Sequence, residues 1–564
     1  MSATAVGQTT RPRALLALAC AGVALAAADT YVVVLALTDM MAGVGLTLDS
    51  LQRATPIISG FLLGYIAVLP LIGRLADLVP RGRVLLACLV LFVLGSGVTA
   101  LAVDLDVLVA GRVVQGIGGG GLVPATLAIV AYLWPVGRRG VPLGMVGAVQ
   151  ELGSVLGPVL GAAVLAVADW RAIFWLNVVL ALVLAVALRV VDREGAKGDP
   201  PTISSRLGLA LGTVAVALLW LALAAPRRLV TDVTLGLPFV PLGGTDHRLV
   251  TPVGALALAL GAIALAVGLR RWWPTLREGD LVGALLLGTA LGCVVLTFAA
   301  ADPEREVVGP LGYALLPVAL VAAGLFAWRQ RTAPSPLVPR GTLGGRTGWA
   351  LLVSVLVGVA LVSVVVDVPL LARLTTDGGQ THAAMVLLRF LIAVPVGALV
   401  GGWLLRHLGA GLVAGTGLAL MAAGLGAMST WGTGSLAAVV SSTAVLVMAG
   451  LGAGLALAPV NDAALADAPS HAHGTASSLV VVARMIGMVV GLALLTGVGL
   501  HRYYEAVAAL SPADRTSADA LVGAAMVQVE TVFAGAALAA GLGAVVAVLT
   551  LGRSPERVRA SASS

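Results

Sequence analysis

Lysine occurs once in these 564 residues, cysteine three times and histidine six times, and charged residues of all kinds make up 11% of the chain. Each shortage excludes something. A phosphate-binding loop of the G-x-x-x-x-G-K-[S/T] kind needs a lysine, and the single one, Lys197, sits in Gly195-Ala196-Lys197-Gly198, which is no such loop. The glycine run Gly118 to Gly121 has no lysine after it and lies in an apolar stretch, so it reads as a place of close helix packing. Cys20, Cys88 and Cys293 fall in three separate apolar runs, which argues against a disulfide framework and a cysteine metal site. Neither H-E-x-x-H nor G-x-S-x-G occurs, and His471 and His473 read as solvated loop histidines. No metal centre, cofactor or catalytic set is therefore expected, although a membrane-embedded lipid-modifying enzyme stays an alternative.

What the chain has in abundance is apolar sequence. At 59% hydrophobic residues and a mean hydropathy of +1.04 it falls outside the range of soluble proteins and reads as an all-α polytopic membrane protein. Apolar runs begin near Ala14, Ala54, Val84, Val107, Val141 and Ala172, before a polar stretch from Asp192 to Arg206. Four more lie near 207–225, 250–270, 281–300 and 310–328, followed by the polar segment Arg329 to Arg346. Six close the chain, near 347–371, 383–405, 410–430, 437–460, 475–500 and 526–551. The total is about sixteen spans, or about fourteen if the runs at 207–225 and 250–270 only lie on the surface. The Ala-rich end of the first run imitates a signal-peptide cleavage site but continues past Asp29, so it reads as a retained helix. The net charge of +7 could suggest nucleic acid, but the arginines cluster in short loops on alternate sides of the spans. That bias predicts cytoplasmic termini.

Six spans, an insert and six spans suggest a duplicated core: 1–191, a linker over 192–346, and 347–564. Gly73-Arg74-Leu75-Ala76-Asp77, after the second span, finds an echo in Gly402-Trp403-Leu404-Leu405-Arg406, and Asp29 finds one in Asp367. Ionisable residues inside apolar helices are the candidates for chemistry: Asp29, Arg112, Glu151, Asp367, Arg389 and Arg484. Burial disfavours an ionised carboxylate and a nearby arginine favours it, so an acid whose surroundings alternate can load a proton on one side and release it on the other. Glu151 and Arg484 should lie at similar depth. For Arg112 and Arg389, hydrogen bonding to neighbouring carbonyls is an equal reading. Gly153, Gly157 and Gly161 form a small-residue stripe on which another helix can pack.

These residues resemble the major facilitator superfamily, and within it the multispan drug:proton antiporters. Gly73, Asp77, Arg81 and Arg83 resemble the signature loop between the second and third helices, with Leu78 and Pro80 where arginine and glycine are usual. Arg112-Val113-Val114-Gln115-Gly116 resembles the fourth-helix motif, and Gly153 to Gly161 with Pro158 resembles the fifth-helix motif of antiporters. Asp29-Thr30, Gln150-Glu151, Asp169-Trp170-Arg171 and Ala483-Arg484-Met485 are similar to an actinobacterial family that exports triacylglycerides with a periplasmic lipoprotein. That family has one central hairpin where two are expected here.

The resemblance implies two six-helix halves in the inner membrane that export lipid or amphiphilic drugs in exchange for protons. Asp29 and Glu151 would carry the protons, and Arg484 would be the partner of one of them in one conformation. The alternative is a small-molecule multidrug antiporter with no lipid role. The loop from Leu500 to Ala525 should extend the preceding span as a helix to about Leu510, break at Ser511-Pro512, and restart at a cap on Thr516 or Ser517.

Overall fold

The computed structural model describes residues 3–46, 51–135, 137–192, 203–231, 236–242, 247–299, 312–375, 379–511 and 514–552. Lys197, the acidic loop 301–309 and Pro512 lie outside them. Sixteen long helices follow one another: α1 (Ala3–Gly43), α2 (Leu51–Leu78), α3 (Arg81–Leu101), α4 (Leu105–Leu133), α5 (Gly140–Leu165) and α6 (Arg171–Val191). Then come α7 (Ile203–Ala224), α8 (Pro252–Glu278), α9 (Leu281–Ala299) and α10 (Gly312–Thr332). The last six are α11 (Arg346–Thr375), α12 (Gly379–Leu408), α13 (Ala410–Met428), α14 (Val439–Ala466), α15 (His473–Ala509) and α16 (Ala518–Thr550). Fifteen are long and apolar enough to cross a membrane, and the remaining one, α9, contributes the apolar helix Leu281–Thr297. The chain is thus a multi-pass, all-helical membrane protein among its described residues. The runs at 207–225 and 250–270, the least certain from sequence, are both span-length helices.

Helix ends follow local chemistry. Asp104 caps α4 by accepting from the Val107 amide at 2.9 Å, and Thr251 caps α8 from Gly254 at 3.1 Å with Pro252 as the first helical residue. Between α8 and α9, Asp280 adopts φ +55° and is buried. Its carboxylate accepts from the Gly283 amide, from Arg329 Nε at 2.6 Å and from the Leu337 amide, so it ties the start of α9 to the end of α10 and the segment after it.

Packing repeats with an offset of ten helices. In the first half α2 and α3 each pack on α4, α1 on α5 and α3 on α6; in the second, α12 and α13 pack on α14, α11 on α15 and α13 on α16. The halves meet through α2 with α15 and α5 with α12. Between them α7 pairs with α8 and α9 with α10, and the second hairpin leans on α2 through α9. The glycine stripe of α5 packs on α1, where a Cβ at Gly153 would stand 2.6 Å from the Ala24 carbonyl oxygen and one at Gly157 would strike that of Ala28. Substitution there would push α5 off α1.

α15 runs unbroken to Ala509, as its helical periodicity predicts. A short turn, Asp514–Thr516, precedes α16. Ser517 occupies the cap position of α16 with extended backbone, but its side chain makes no capping bond. Instead the turn is held by the Ser511 hydroxyl donating to Asp514 at 2.7 Å and by Arg515 donating to the Ala508 carbonyl.

Candidate functional site

The halves are bolted together at the end of the bundle that carries the α2–α3 turn. Asp77 accepts from the backbone amides of Gly474 and Thr475 at 2.7 and 2.9 Å and from the Thr475 hydroxyl at 2.8 Å. A carboxylate from one half therefore occupies the N-terminus of α15 in the other, where free amides and the helix dipole favour an anion. Gly73 lets α2 approach α15 this closely, because a Cβ there would stand 2.6 Å from the Gly474 carbonyl oxygen. Across the same end Arg139 donates to Asp462 at 2.5 Å, with the guanidinium almost fully buried. Arg74 lies within electrostatic range of Asp77, and Arg81 stacks on Tyr132 at 4.5 Å. Arg83 stands at the start of α3, in the same turn.

Deeper in the first half, five helices converge on Asp29, which is 1% exposed. Its carboxylate pairs with Arg112 at 2.7 Å and accepts from Gln115 at 2.9 Å and Asn177 at 2.5 Å. Gln115 also donates to Ser96 and accepts from Arg112, while Arg112 Nε donates to the Ile57 carbonyl. The guanidinium lies over the Phe61 ring at 4.4 Å. Arg112 thus bonds a carbonyl of α2 and pairs with an acid of α1. Gly116, next to Gln115, admits the α2 backbone at Phe61.

Between the halves the arrangement is looser. Glu151 on α5 and Arg484 on α15 each stand eleven residues past the start of their helix, about 16 Å along it. They stand equally far along their helices, one in each half. Arg484 lies within electrostatic range of Glu151, Tyr31 and Tyr65. Among the described residues no ion pair closer than 4.0 Å joins Glu151 to any cation. The helix is irregular here: Pro158 lacks the amide that would bond the Ser154 carbonyl, and the Ser154 hydroxyl donates to the Glu151 carbonyl at 2.6 Å. Gly161 continues the stripe against Val32.

In the second half, Asp367 is buried at 3% exposure with no hydrogen-bond partner among the described residues, and Arg389 reaches only the Ser442 hydroxyl, at 3.4 Å. The structure thus brings Glu151 together with Arg484 and Asp29 with Arg112 and Gln115, and leaves Asp367 apart from both. Asn177, Ser96, Arg139 and Asp462 were not singled out from sequence. Asn177 is a lone amide in the apolar run of α6, a signal as legible as Asp29; the Arg139–Asp462 pair, 323 residues apart, gave none. His473 opens α15 beside Arg139 and Arg81 rather than standing in a solvated loop.

Residues 19–326 match the family model of the Major Facilitator Superfamily. The chain is 37% identical over 506 residues to a triacylglyceride transporter of Mycolicibacterium hassiacum, covering 87% of this chain and 81% of the relative. It is 36% identical over 520 residues to the triacylglyceride transporter of Mycobacterium tuberculosis, covering 90% and 86%. In fold it is similar to the proton:xylose symporter XylE, with a TM-score of 0.54 at 12% identity over 95% of both chains. It is likewise similar to the human organic anion transporter MFSD10, with a TM-score of 0.52 at 16% identity over 95% of this chain and 99% of that one. Two repeated six-helix halves bolted at one end and this sequence likeness lead to one conclusion: the chain belongs to the major facilitator superfamily and is a membrane transporter.

Proposed function

We propose that this transporter exports triacylglyceride-like lipids or amphiphilic drugs across the inner membrane in exchange for protons, by alternating access. The observation that carries the proposal is that Glu151 and Arg484 stand equally far along helices of opposite halves, within electrostatic range and without a close ion pair. A carboxylate in an apolar surround needs a cation, a proton or water, and rocking of the halves would change which of these it has. In this state the α2–α3 end is closed by Asp77 and Arg139, and the arginine bias of the loops supports assigning it to the cytoplasm, together with both termini. The state is then outward-facing. Asp29, the second proton carrier in this reading, would exchange Arg112 for a proton in another state. The lipid substrate is supported by what the relatives are named. The helical extension of α15 and α16 beyond the bundle offers a route or a docking place for a periplasmic lipoprotein that accepts the lipid. A drug:proton antiporter with no lipid role is the second reading, favoured by the likeness of the fifth-helix residues Gly153, Gly157, Pro158 and Gly161 to antiporters. The test is export of a labelled triacylglyceride from proteoliposomes with the interior alkaline or acidic relative to the bath. The proposal expects inward proton flow to drive lipid out and a protonophore to stop it; transport indifferent to both would refute proton coupling.

A further inference from the structure

Three arginines stand close together at the end of α8, Arg270, Arg271 and Arg277. All are exposed, and none makes a hydrogen bond or an ion pair among the described residues. Elsewhere Arg112, Arg139, Arg329 and Arg346 each meet an aspartate at 2.7 Å or less. The side of α8 that meets α7 is marked by Val267 against Gly208 and Ala264 against Gly212. At about 100° per residue, Arg270, Trp273 and Arg277 fall within about 60° of one another on the side turned away from α7. Arg271 falls about 100° from Arg270, beside Glu278, the one acid of this helix. The stripe continues along the helix as Ile263 and Leu256, both exposed. One face of α8 is therefore apolar along the membrane-spanning part and cationic at its end, with a tryptophan between two arginines that no acid of the helix faces.

A phospholipid is divided in the same way, acyl chains along the apolar part and phosphate at the charged end. A guanidinium binds phosphate through paired hydrogen bonds, and tryptophan settles at headgroup level. Arg270 and Arg277 are seven residues apart, about 10.5 Å along the axis, so each has room for a phosphate of its own. We propose that this face binds diphosphatidylglycerol, the lipid in which a glycerol joins two phosphodiesters. One phosphate lies at Arg270 and the other at Arg277, with the Trp273 ring between them and the acyl chains along Ile263 and Leu256. The occupant is a lipid because the cationic patch is continuous with the apolar surface of a span-length helix.

The test is native mass spectrometry of the full chain, equilibrated in mixed micelles with equal amounts of diphosphatidylglycerol, phosphatidylglycerol and phosphatidylcholine. The wild type is expected to retain diphosphatidylglycerol about fivefold over phosphatidylglycerol, the worth of one further arginine–phosphate contact at a membrane surface. Arg270→Gln and Arg277→Gln should each lower that retention about fivefold, while Arg271→Gln should leave it within about twofold. All three side chains are exposed, so each variant should keep the wild-type unfolding temperature, and a loss of lipid then reads the site itself. Equal retention of the two anionic lipids, or an equal loss in Arg271→Gln, would show general charge attraction without a two-phosphate site and overturn the proposal. Retention unmoved by Arg270→Gln and Arg277→Gln would put the lipid elsewhere, and a dimer mass that excludes lipid would make the face an interface between copies; either result overturns it as well.

Discussion

The two acid–arginine pairs of this protein are built on opposite plans. Asp29 is surrounded within one half, where Arg112, Gln115 and Asn177 supply three donors to its two oxygens. Glu151 and Arg484 sit on different halves, within electrostatic range but without a close ion pair. A satisfied buried network holds helices in one arrangement and resists change; a loosely placed pair across a moving interface changes its separation whenever the halves rock. In this state the first site is held by bonds within one half and the second is not. Asp367 sharpens the contrast. It lies in the first helix of the second half as Asp29 lies in the first helix of the first, yet nothing among the described residues pairs with it.

Substitution can break the comparison at three strengths. Arg112→Ala should have the largest effect on stability, because it strands the Asp29 carboxylate in the core; about 3–5 kcal/mol is typical of such a loss, and thermal unfolding in detergent would measure it. By contrast Asp367→Asn should cost less than about 1 kcal/mol, since there is no ion pair to lose. Equal destabilisation by the two would dissolve the distinction between the halves. At the bolt, Asp77→Asn keeps the size of the side chain but removes the charge from the N-terminus of α15. It should weaken that cap by about 0.5–2 kcal/mol and shift the population toward the state open at the α2–α3 end. Spin labels at Ala76 and Ser477 would report a longer separation in the variant; an unchanged distance distribution would show that Arg139–Asp462 alone holds that end shut.

Much of this architecture was legible in the chain. Apolar runs interrupted by arginine-rich loops located the helices, because a span must be long and its backbone self-satisfied. The ionisable residues stood out against that background, and equal depth for Glu151 and Arg484 followed from counting residues along their helices. Partners were harder to read. Asp29 finds Arg112 83 residues away and Asn177 148 residues away, through the way α4 and α6 close on α1, and single-chain periodicity carries no information about which buried face meets which. The same holds for Asp77, whose role as an anion at the start of α15 depends on a helix end nearly four hundred residues later. The turn after α15 departed from expectation for a local reason: Ser511 and Asp514 bond each other, and Ser517 is left without a capping bond.

The central claim is that the Glu151–Arg484 gap, rather than the Asp29 network alone, couples transport to protons. The most direct measurement compares Glu151→Gln with the wild type in proteoliposomes, following lipid export under an imposed pH gradient and lipid exchange without one. The account predicts that the variant still exchanges lipid at equilibrium but no longer responds to the gradient, since the amide fills the same space and cannot release a proton. Gradient-driven export by Glu151→Gln at the wild-type rate would contradict it.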